Sequence, residues 1–565
     1  MTTRRLGALC ALLIALAGHA PANANEDASM TPAASAPVVR TAAGLLQGLS
    51  DDALNVFKGV PYATPPLGAL RWKPPVPMKA WEGTRPATEF GPACVQPKPT
   101  LSNIYEGAPM PVSEDCLSLN VWAPRDARGA PVFVWIHGGA LWGGANRDPM
   151  YDGARLARQG IVVVSINYRL GPLGWLAHPA LSAESPHGTS GNYGLLDQIA
   201  ALRWVQDNIP AFGGDPANVT VAGESAGGLT VMYLLAAPQA RGLFAKAIAQ
   251  SAYMISVPEL KAARFGAPSA EDSGVQLAAA LKAPDLAALR AMDAETLTAA
   301  ASAARFAPFP AVDGDVVPAQ LVDIFDQGRQ APVPLLAGFS SGEIRSLRGL
   351  APPVPANASA YEPVIRDRYG DLADAYLRLY PGTTLEESII AATRDALYGW
   401  TAESLVHHQA AIGQPAFLYI FDHGYPAADA AKLHAFHASE LPYVFGTFGG
   451  TPPLWPKVPE VPRERRLSDA MIGYWTSFAR TGRPAAKGES GWPAFDASEG
   501  YMHFGDVPQA GHHLMPGMYE LVREVVCRRR AAGTQPWNWN VGLASPPVPP
   551  GRPECAASAK GGSTH

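Results

Sequence analysis

Residues 218–229 read Asn-Val-Thr-Val-Ala-Gly-Glu-Ser-Ala-Gly-Gly-Leu. The β-branched residues of 218–222 predict a buried strand, and the apolar run 229–236 predicts a helix. Between them, residues 223–227 have the form Gly-x-Ser-x-Gly, with Ser225 at the centre. A strand, this pentapeptide and a helix in that order indicate a nucleophile elbow, a tight turn that holds a serine above a sheet.

The two glycines of the pentapeptide explain how such a turn can form. Gly223 and Gly227 lack a Cβ, so strand and helix can pass close to Ser225 on both sides. The turn would aim the Ala226 N–H, at a helix N-terminus, toward a developing negative charge. The alternative is an ordinary serine cap of a helix, which the flanking residues disfavour. We therefore expect Ser225 to be a nucleophile that needs a base.

The rest of the chain alternates short runs rich in Val, Ile and Ala with helical patterns. This alternation predicts an α/β protein with a mainly parallel sheet flanked by helices. The candidate strands are 132–137, 161–168, 219–223, 247–251, 334–338 and 417–422. Apolar residues every three or four positions predict helices over 195–209 and 467–480. Weak periodicity over 253–272 indicates a mobile cover.

We expect one large catalytic domain over 25–535, followed by an extended Pro/Gly/Ser-rich tail over 536–565. Of the 565 residues, 47% are hydrophobic and 16% charged, which excludes a disordered chain and disfavours a fibre or coiled coil. The net charge of -5 indicates no basic surface for nucleic acid. No metal-ligand pattern occurs, and no cofactor is expected. The sequence does not predict an oligomeric state.

The N-terminal residues predict a secretory signal peptide. Arg4 and Arg5 precede the apolar run 6–17, and Ala-Asn-Ala at 22–24 fits a cleavage site. The apolar run is too short to span a bilayer. We expect cleavage after residue 24 and no membrane span in the remaining chain. The short leader and the excess of Arg over Lys favour a bacterial periplasmic or secreted protein.

Four cysteines remain after the expected cleavage, and they permit three pairings. They are Cys94, Cys116, Cys527 and Cys555. Two local loops, Cys94–Cys116 and Cys527–Cys555, are the simplest choice in an oxidising compartment. The alternative is four free thiols.

The residues alone do not settle the base or the acid. In hydrolases with such an elbow the chain order is serine, acid, histidine, and the base follows a late strand. Three histidines follow the strand predicted over 417–422: His423, His434 and His437. The candidate acids between Ser225 and the last of these histidines include Asp313, Asp315, Glu343 and Asp429.

A glycine-rich turn follows the strand predicted over 132–137. It reads Gly-Gly-Ala at 138–140, with two more glycines at 143–144. Glycines after a strand let backbone N–H groups approach a substrate without side-chain interference. The alternative is a plain turn, but its combination with the elbow favours an oxyanion hole. His137 belongs to the turn, and we expect a structural role for it.

Further motifs along residues 38–505 resemble those of the type-B carboxylesterases, which share the α/β-hydrolase fold with the cholinesterases. The first motifs are Phe-Lys-Gly-Val-Pro-Tyr-Ala-Thr-Pro-Pro at 57–66, Leu-Arg-Trp at 70–72 and Ser-Glu-Asp-Cys-Leu-Ser-Leu-Asn-Val at 113–121. The later ones are Trp-Ile-His-Gly-Gly at 135–139, Asn-Tyr-Arg-Leu-Gly at 167–171, Gly-Asn-Tyr-Gly-Leu-Leu-Asp-Gln at 191–198 and Phe-Gly-Gly-Asp-Pro at 212–216.

The resemblance implies ester hydrolysis through an acyl-enzyme, and it also implies which acid and base act. Glu343 ends a segment similar to the family's acid loop, Gly-Phe-Ser-Ser-Gly-Glu at 338–343. His437 opens a segment similar to the family's base loop, His-Ala-Ser-Glu-Leu-Pro-Tyr-Val-Phe-Gly at 437–446. Gly342 departs from the pattern, because the family usually has an acidic residue there.

The resemblance also implies the oxyanion donors and one disulfide. The donors carry over to the N–H groups of Gly139, Ala140 and Ala226, with Ala140 in place of the usual third glycine. The family's first disulfide falls on Cys94 and Cys116.

Four neighbouring side chains are then assigned other roles. His423 and His434 become bystanders, Glu224 organises the site, and Glu440 packs or caps.

Two rival functions occur within the same fold. Non-catalytic relatives lack one or more triad residues, whereas this chain keeps all three. Cholinesterases hold a quaternary ammonium against a tryptophan in the first disulfide loop, where this chain has only Tyr105. The expected substrate is therefore a small ester other than a choline ester.

Four side chains near the predicted site bear on the substrate. Leu141 and Trp142, beside the oxyanion turn, are expected to shape the acyl pocket, with core packing as the alternative for Trp142. Arg345 and Arg348 follow the acid and could face an acidic substrate or solvent.

Overall fold

The computed structural model describes residues 36–100, 102–538 and 540–558, and its centre is an eleven-stranded sheet. In chain order the strands β1 to β11 of this sheet are Leu49–Ser50, Leu54–Pro61, Ser118–Pro124, Ala130–Ile136, Val162–Ile166, Gly214–Glu224, Lys246–Gln250, Leu335–Ser340, Ala416–Phe421, Gly500–Phe504 and Pro508–His512. Across the sheet the order is β11-β10-β9-β8-β7-β6-β4-β5-β3-β2-β1. The strands from β10 to β5 are parallel, and antiparallel strands extend both edges.

Helices cover both faces of the sheet. Those of ten or more residues within the described ranges, α1 to α9, are Tyr193–Asn208, Ala226–Ala236, Ala270–Ala280, Ala294–Ala303, Ala358–Tyr369, Leu385–Arg394, Trp400–Ala411, Pro462–Thr481 and Met518–Ala532. Shorter helices are Ala154–Ala157, Gly171–Trp175, Pro179–Ala183, Leu286–Ala291, Leu321–Asp326, Glu343–Ser346, Ala373–Leu379, Pro426–Ala430, Leu441–Phe445 and Pro553–Ser558.

Strand β4 illustrates how the core is divided between the two faces. Val132, Val134 and Ile136 belong to the apolar cluster that includes residues of α1 and α2. Phe133 and Trp135 belong to the cluster that includes residues of α8. Successive side chains of a strand point to opposite faces, so a strand covered on both faces is apolar throughout.

The predicted α/β class and all six predicted strands are confirmed. The strand at 161–168 is shorter than predicted, Val162–Ile166, and the strand at 219–223 is longer, Gly214–Glu224. The predicted helices at 195–209 and 467–480 correspond to α1 and α8. Helix α8 begins earlier than predicted, at Pro462. A proline is tolerated in the first turn of a helix because its missing N–H costs no hydrogen bond there.

Strands β10 and β11, at one end of the sheet, were not predicted. In β10 buried and half-buried residues alternate, and most of β11 is exposed or half-buried. Neither strand has the continuous apolar run that marks the central strands.

The segment predicted as a mobile cover, 253–272, has little regular structure up to the start of α3. Its first part is nevertheless bound to the core. The Met254 N–H donates to Thr401 Oγ1 over 2.9 Å, and Gln320 exchanges two hydrogen bonds with the backbone of Val257. Within this segment the exposed residues are 261–268 and Asp272. Irregular backbone therefore explains the weak periodicity.

The tail predicted as extended packs against the protein over its described part. The Tyr369 hydroxyl at the end of α5 donates to the Asn540 carbonyl over 3.0 Å. Arg529 in α9, whose exposed fraction is 0%, donates to the carbonyls of Asn538 and Pro546 over 2.8 and 2.9 Å. The tail is therefore held by specific backbone contacts that its composition does not predict.

Both predicted disulfides are confirmed. Cys94 pairs with Cys116 and Cys527 with Cys555, at Cα separations of 4.9 and 5.7 Å. Among the described residues, no helix is long and apolar enough to cross a membrane. The predicted signal peptide lies outside the described residues.

The second disulfide should contribute to stability through the loop it closes. We expect the Cys527→Ser/Cys555→Ser variant to lose about 3 kcal/mol of unfolding free energy, because the cross-link restricts the unfolded chain. Denaturant unfolding of both proteins measures this, with wild type under non-reducing conditions. An unchanged midpoint would mean that the tail contacts alone hold the end of the chain.

Candidate active site

Ser225 lies in the turn between β6 and α2, with φ 56° and ψ -121°. A positive φ is rare for a residue other than glycine and is tolerated only where the surroundings enforce it. Here the Ser225 N–H donates to the Gln250 carbonyl over 3.0 Å, and the Ser225 carbonyl accepts from Leu229 over 2.8 Å. The neighbours Glu224 and Ala226 are buried, while Ser225 is half-buried.

The flanking glycines allow a close approach that no other residue would permit. A Cβ on Gly227 would lie 2.1 Å from the carbonyl oxygen of Ile136, at the end of β4. A Cβ on Gly223 would lie 2.5 Å from the carbonyl carbon of Gly227. The two glycines therefore permit the close approach of strand and helix that the pentapeptide predicts.

The glycine-rich turn after β4 lies against the elbow. A Cβ on Gly138 would lie 3.1 Å from the Cβ of Ser225. The next residues have positive φ angles, 108° at Gly139 and 55° at Ala140. Their N–H groups donate no hydrogen bond to any described residue. Ala226 is the first residue of α2, so its N–H has no acceptor within the helix.

Glu343 and His437 form a buried pair. Glu343 Oε2 accepts a short hydrogen bond from His437 Nδ1, and Glu343 Oε1 accepts from the Ser340 N–H over 2.8 Å. The exposed fractions of Glu343 and His437 are 0% and 5%. The fixed carboxylate binds Nδ1 and thereby determines the orientation of the ring.

A direct backbone contact brings these two loops together. The Gly342 N–H donates to the Ala435 carbonyl over 2.8 Å. A Cβ on Gly342 would lie 2.8 Å from the carbonyl oxygens of both Leu433 and Ala435. The contact between the two loops therefore leaves no room for an acidic side chain at position 342. This explains why glycine is present where the family pattern usually has an acidic residue.

Two further carboxylates surround the same imidazole. Glu224 Oε1 lies 3.1 Å from His437 Nε2. Glu440 is fully buried and accepts hydrogen bonds from Gln250 Nε2 over 3.1 Å and from Ser340 Oγ over 3.4 Å. The structure thus places Glu440 in a polar network, which goes beyond the packing or capping role expected from the sequence.

Burial and charge shift the pKa values of this cluster. Burial raises the pKa of Glu224, His437 opposes the shift, and Glu440 and Glu343 reinforce it. Burial lowers the pKa of His437, but the carboxylates of Glu224 and Glu343 outweigh it, so the pKa lies above its ordinary value. The site therefore holds negative charge close to a nitrogen that can take up a proton.

Comparison with known proteins agrees with this geometry. A sequence profile described as the Carboxylesterase family matches residues 35–521. The chain belongs to this family. Its carboxylesterase relatives include a fumonisin B1 esterase from Sphingopyxis macrogoltabida, 37% identical over 495 residues that cover 84% of this chain and 88% of that protein. A para-nitrobenzyl esterase from Bacillus subtilis is 37% identical over 471 residues, 81% of this chain and 92% of that protein.

Solved structures extend the comparison to the fold. A structure titled PNB esterase superimposes with a TM-score of 0.75 at 34% identity, covering 86% of this chain and 99% of that one. The protein is a carboxylic ester hydrolase with the α/β-hydrolase fold.

The other histidines and acids considered from the sequence lie elsewhere in this carboxylesterase. His423 Nε2 contacts Glu464 Oε2 over 2.6 Å, and His434 lies between Asp422 and Asp429. Asp313 caps a turn, where it accepts from the N–H of Val317 over 2.9 Å. Asp315 lies 3.7 Å from His187.

The side chains considered for the substrate pocket have partners of their own. Leu141 is 1% exposed and packs in the core. Trp142 is half-buried, with its ring 6.4 Å from that of Phe306. Arg345 pairs with Glu387 over 2.6 Å, and Arg348 donates to the Pro352 carbonyl over 3.4 Å. Of these four, only Trp142 combines partial exposure with a position beside the oxyanion turn.

Some residues around His437 were not identified from the sequence. The Tyr398 ring lies 5.4 Å from the imidazole, on a π-helical turn that no periodicity marks. The Tyr105 hydroxyl donates to the His437 carbonyl over 3.1 Å and to Ser346 Oγ over 2.6 Å. Gln250 joins Glu440 to Trp475, whose indole N–H donates to Gln250 Oε1 over 2.9 Å. These residues are distant from His437 in the sequence and come close to it only in the folded chain.

Gly227 offers a direct test of the elbow. We expect Gly227→Ala to displace the start of α2, because its Cβ would meet the Ile136 carbonyl, and to cost about 1–3 kcal/mol of stability. Ester hydrolysis should fall in proportion to the displacement of Ser225. Gly449→Ala is the matched control, because a Cβ there meets nothing within 4 Å. Equal activity and melting temperature in the two variants would contradict the packing argument.

Proposed function

We propose that Ser225, Glu343 and His437 are the catalytic triad of this carboxylesterase and that hydrolysis proceeds through an acyl-enzyme on Ser225. The observation that carries the proposal is the buried Glu343–His437 pair. This pair lies beside the elbow, because His437 contacts Glu224, the residue before Ser225. Ser225 attacks the ester carbonyl while His437 takes up its proton, and Glu343 stabilises the imidazolium. His437 then protonates the leaving alcohol.

The N–H groups of Gly139, Ala140 and Ala226 are the proposed oxyanion hole. All three lie in the two turns that meet at Ser225, and none has an acceptor in the secondary structure around it. Each donor of this kind contributes on the order of 3 kcal/mol to the transition state. Water then attacks the acyl-enzyme by the same steps, with His437 as the base, and releases the acid.

The proposed substrates are carboxylic esters other than choline esters. In the first disulfide loop, Tyr105 takes part in the contacts that hold His437, with its ring centroid 6.1 Å from the imidazole. The loop has no tryptophan against which the ammonium group of a choline ester could lie. The names of the relatives suggest para-nitrobenzyl esters and fumonisin B1 as the first substrates to test. Their rates of hydrolysis are to be compared with those of acetylcholine analogues.

We also propose that the protein is exported to the periplasm or beyond, with residues 1–24 as a cleaved leader. Its two disulfides support an oxidising compartment. Mass measurement of the exported protein tests the leader.

The assignment of the base is tested by two histidine variants. We expect His437→Ala to lower turnover on the order of 10⁴-fold or more, because Ser225 loses its proton acceptor. His434→Ala should retain most of the activity, because His434 is engaged by Asp422 and Asp429. Ser225→Ala should abolish labelling by an organophosphonate. If a folded His434→Ala protein were inactive while a folded His437→Ala protein stayed active, the assignment of His437 as the base would be wrong.

The role of Glu224 is tested by the pH dependence of kcat/KM, which reports the ionisation of the free enzyme. Glu224 raises the pKa of His437, so Glu224→Gln should lower that pKa. His437 then stays neutral to lower pH, and the acidic limb of the profile should shift to lower pH. Glu387→Gln, which removes an exposed carboxylate paired with Arg345, should leave the limb in place. A shift to higher pH would overturn this role.

A further inference from the structure

One cavity of the protein has no residue of the proposed triad in its lining. Its volume is about 480 Å³, a size typical of small-molecule sites. It lies between the irregular segment 256–270, the segment 304–309 and the start of the C-terminal tail. Its lining is mainly apolar and includes Val257, Leu277, Phe306 and Phe309. It includes no residue of the elbow, the oxyanion turn or the base loop.

Two buried polar side chains on the lining of this cavity have no partner. Asn538 is 6% exposed, and neither its Oδ1 nor its Nδ2 makes a hydrogen bond within the described residues. Trp175 is 2% exposed, and its indole N–H likewise has no acceptor there. Buried polar groups are almost always hydrogen-bonded, and exceptions call for an explanation. The Asn538 backbone is fixed by the hydrogen bond from Arg529.

The rim of the cavity carries an excess of positive charge. Arg264 is paired with Glu259 over 3.1 Å. Arg305 is exposed and makes no ion pair within the described part of the chain. Phe265 is 37% exposed beside them, so the rim also presents an apolar ring. An anion with an apolar body matches these features.

We propose that this cavity binds a small apolar carboxylic acid, the chemical class that ester hydrolysis releases, at a site separate from the reacting centre. Among the buried lining groups without a partner in the described chain, two are donors, the Trp175 indole N–H and the Asn538 amide nitrogen, and one is an acceptor, Asn538 Oδ1. The exposed Arg305 guanidinium adds a positive charge. A carboxylate offers acceptors only, and its apolar body fills the remainder of the cavity. None of Ser225, Glu343 and His437 lines this cavity.

Calorimetry tests the proposal with 4-phenylbutyrate as the acid and 4-phenyl-1-butanol as the uncharged comparison. The protein is first treated with an organophosphonate to block Ser225. We expect binding of one equivalent of the acid to the blocked protein, with Asn538→Leu weakening it at least tenfold. Arg305→Gln should weaken binding of the acid but not of the alcohol, whereas Arg378→Gln should change neither.

A second pair of variants does not depend on Asn538. Ala280 and Ala279 are both exposed on α3, but only Ala280 lines the cavity. Ala280→Trp should abolish binding and Ala279→Trp should not. Because the Asn538 side chain makes no hydrogen bond to any described residue, Asn538→Leu should melt no lower than wild type.

Several results would overturn the site. They are the absence of binding to the blocked protein, or equal binding by wild type, Asn538→Leu and Ala280→Trp. A higher melting temperature of Asn538→Leu without any binding by wild type would indicate a solvent-filled cavity instead. Failure of the phosphonate to label Ser225 would count against the proposed triad alone, because the cavity variants can still be compared in untreated protein.

Discussion

The start of α2 lies so close to the end of β4 that no Cβ fits at Gly227, and the geometry of the site depends on this contact. It holds the backbone of Ser225 in a conformation that a serine rarely adopts, because strand, turn and helix cannot separate without losing core packing. The turn that follows β4 begins one residue beyond the same contact. The proposed nucleophile and the two turns that carry the proposed oxyanion donors therefore share one rigid support.

The second constraint is electrostatic. Three buried carboxylates, Glu224, Glu343 and Glu440, surround a single imidazole, and burial makes each unpaired negative charge costly. The cluster is stable because its members are tied to neutral donors such as the Ser340 N–H and the Gln250 amide, and because His437 can become positive. The arrangement favours the protonated form of His437, so its imidazole becomes neutral only at a higher pH than an ordinary histidine.

Most of the central architecture could be predicted from local sequence. Strands covered on both faces need continuous apolar runs, and the elbow needs glycines on either side of its serine, so both leave a local signal. The choice of His437 over His434 had no local signal and rested on the family resemblance. Strands β10 and β11, at one end of the sheet, gave little pattern because one or both of their faces are partly exposed. The contacts of Tyr105, Gln250 and Tyr398 with the base loop arise only when distant segments meet.

The burial of Arg529 has a consequence for how the chain is completed. Its guanidinium is out of contact with water, and its hydrogen-bond acceptors are backbone and hydroxyl oxygens supplied by Asn538, Ser545 and Pro546. A nascent chain that has emerged only as far as α9 would carry an uncompensated cation at the point where that helix must dock. Helix α9 can therefore dock with this buried cation compensated only when residues 538–546 are in place.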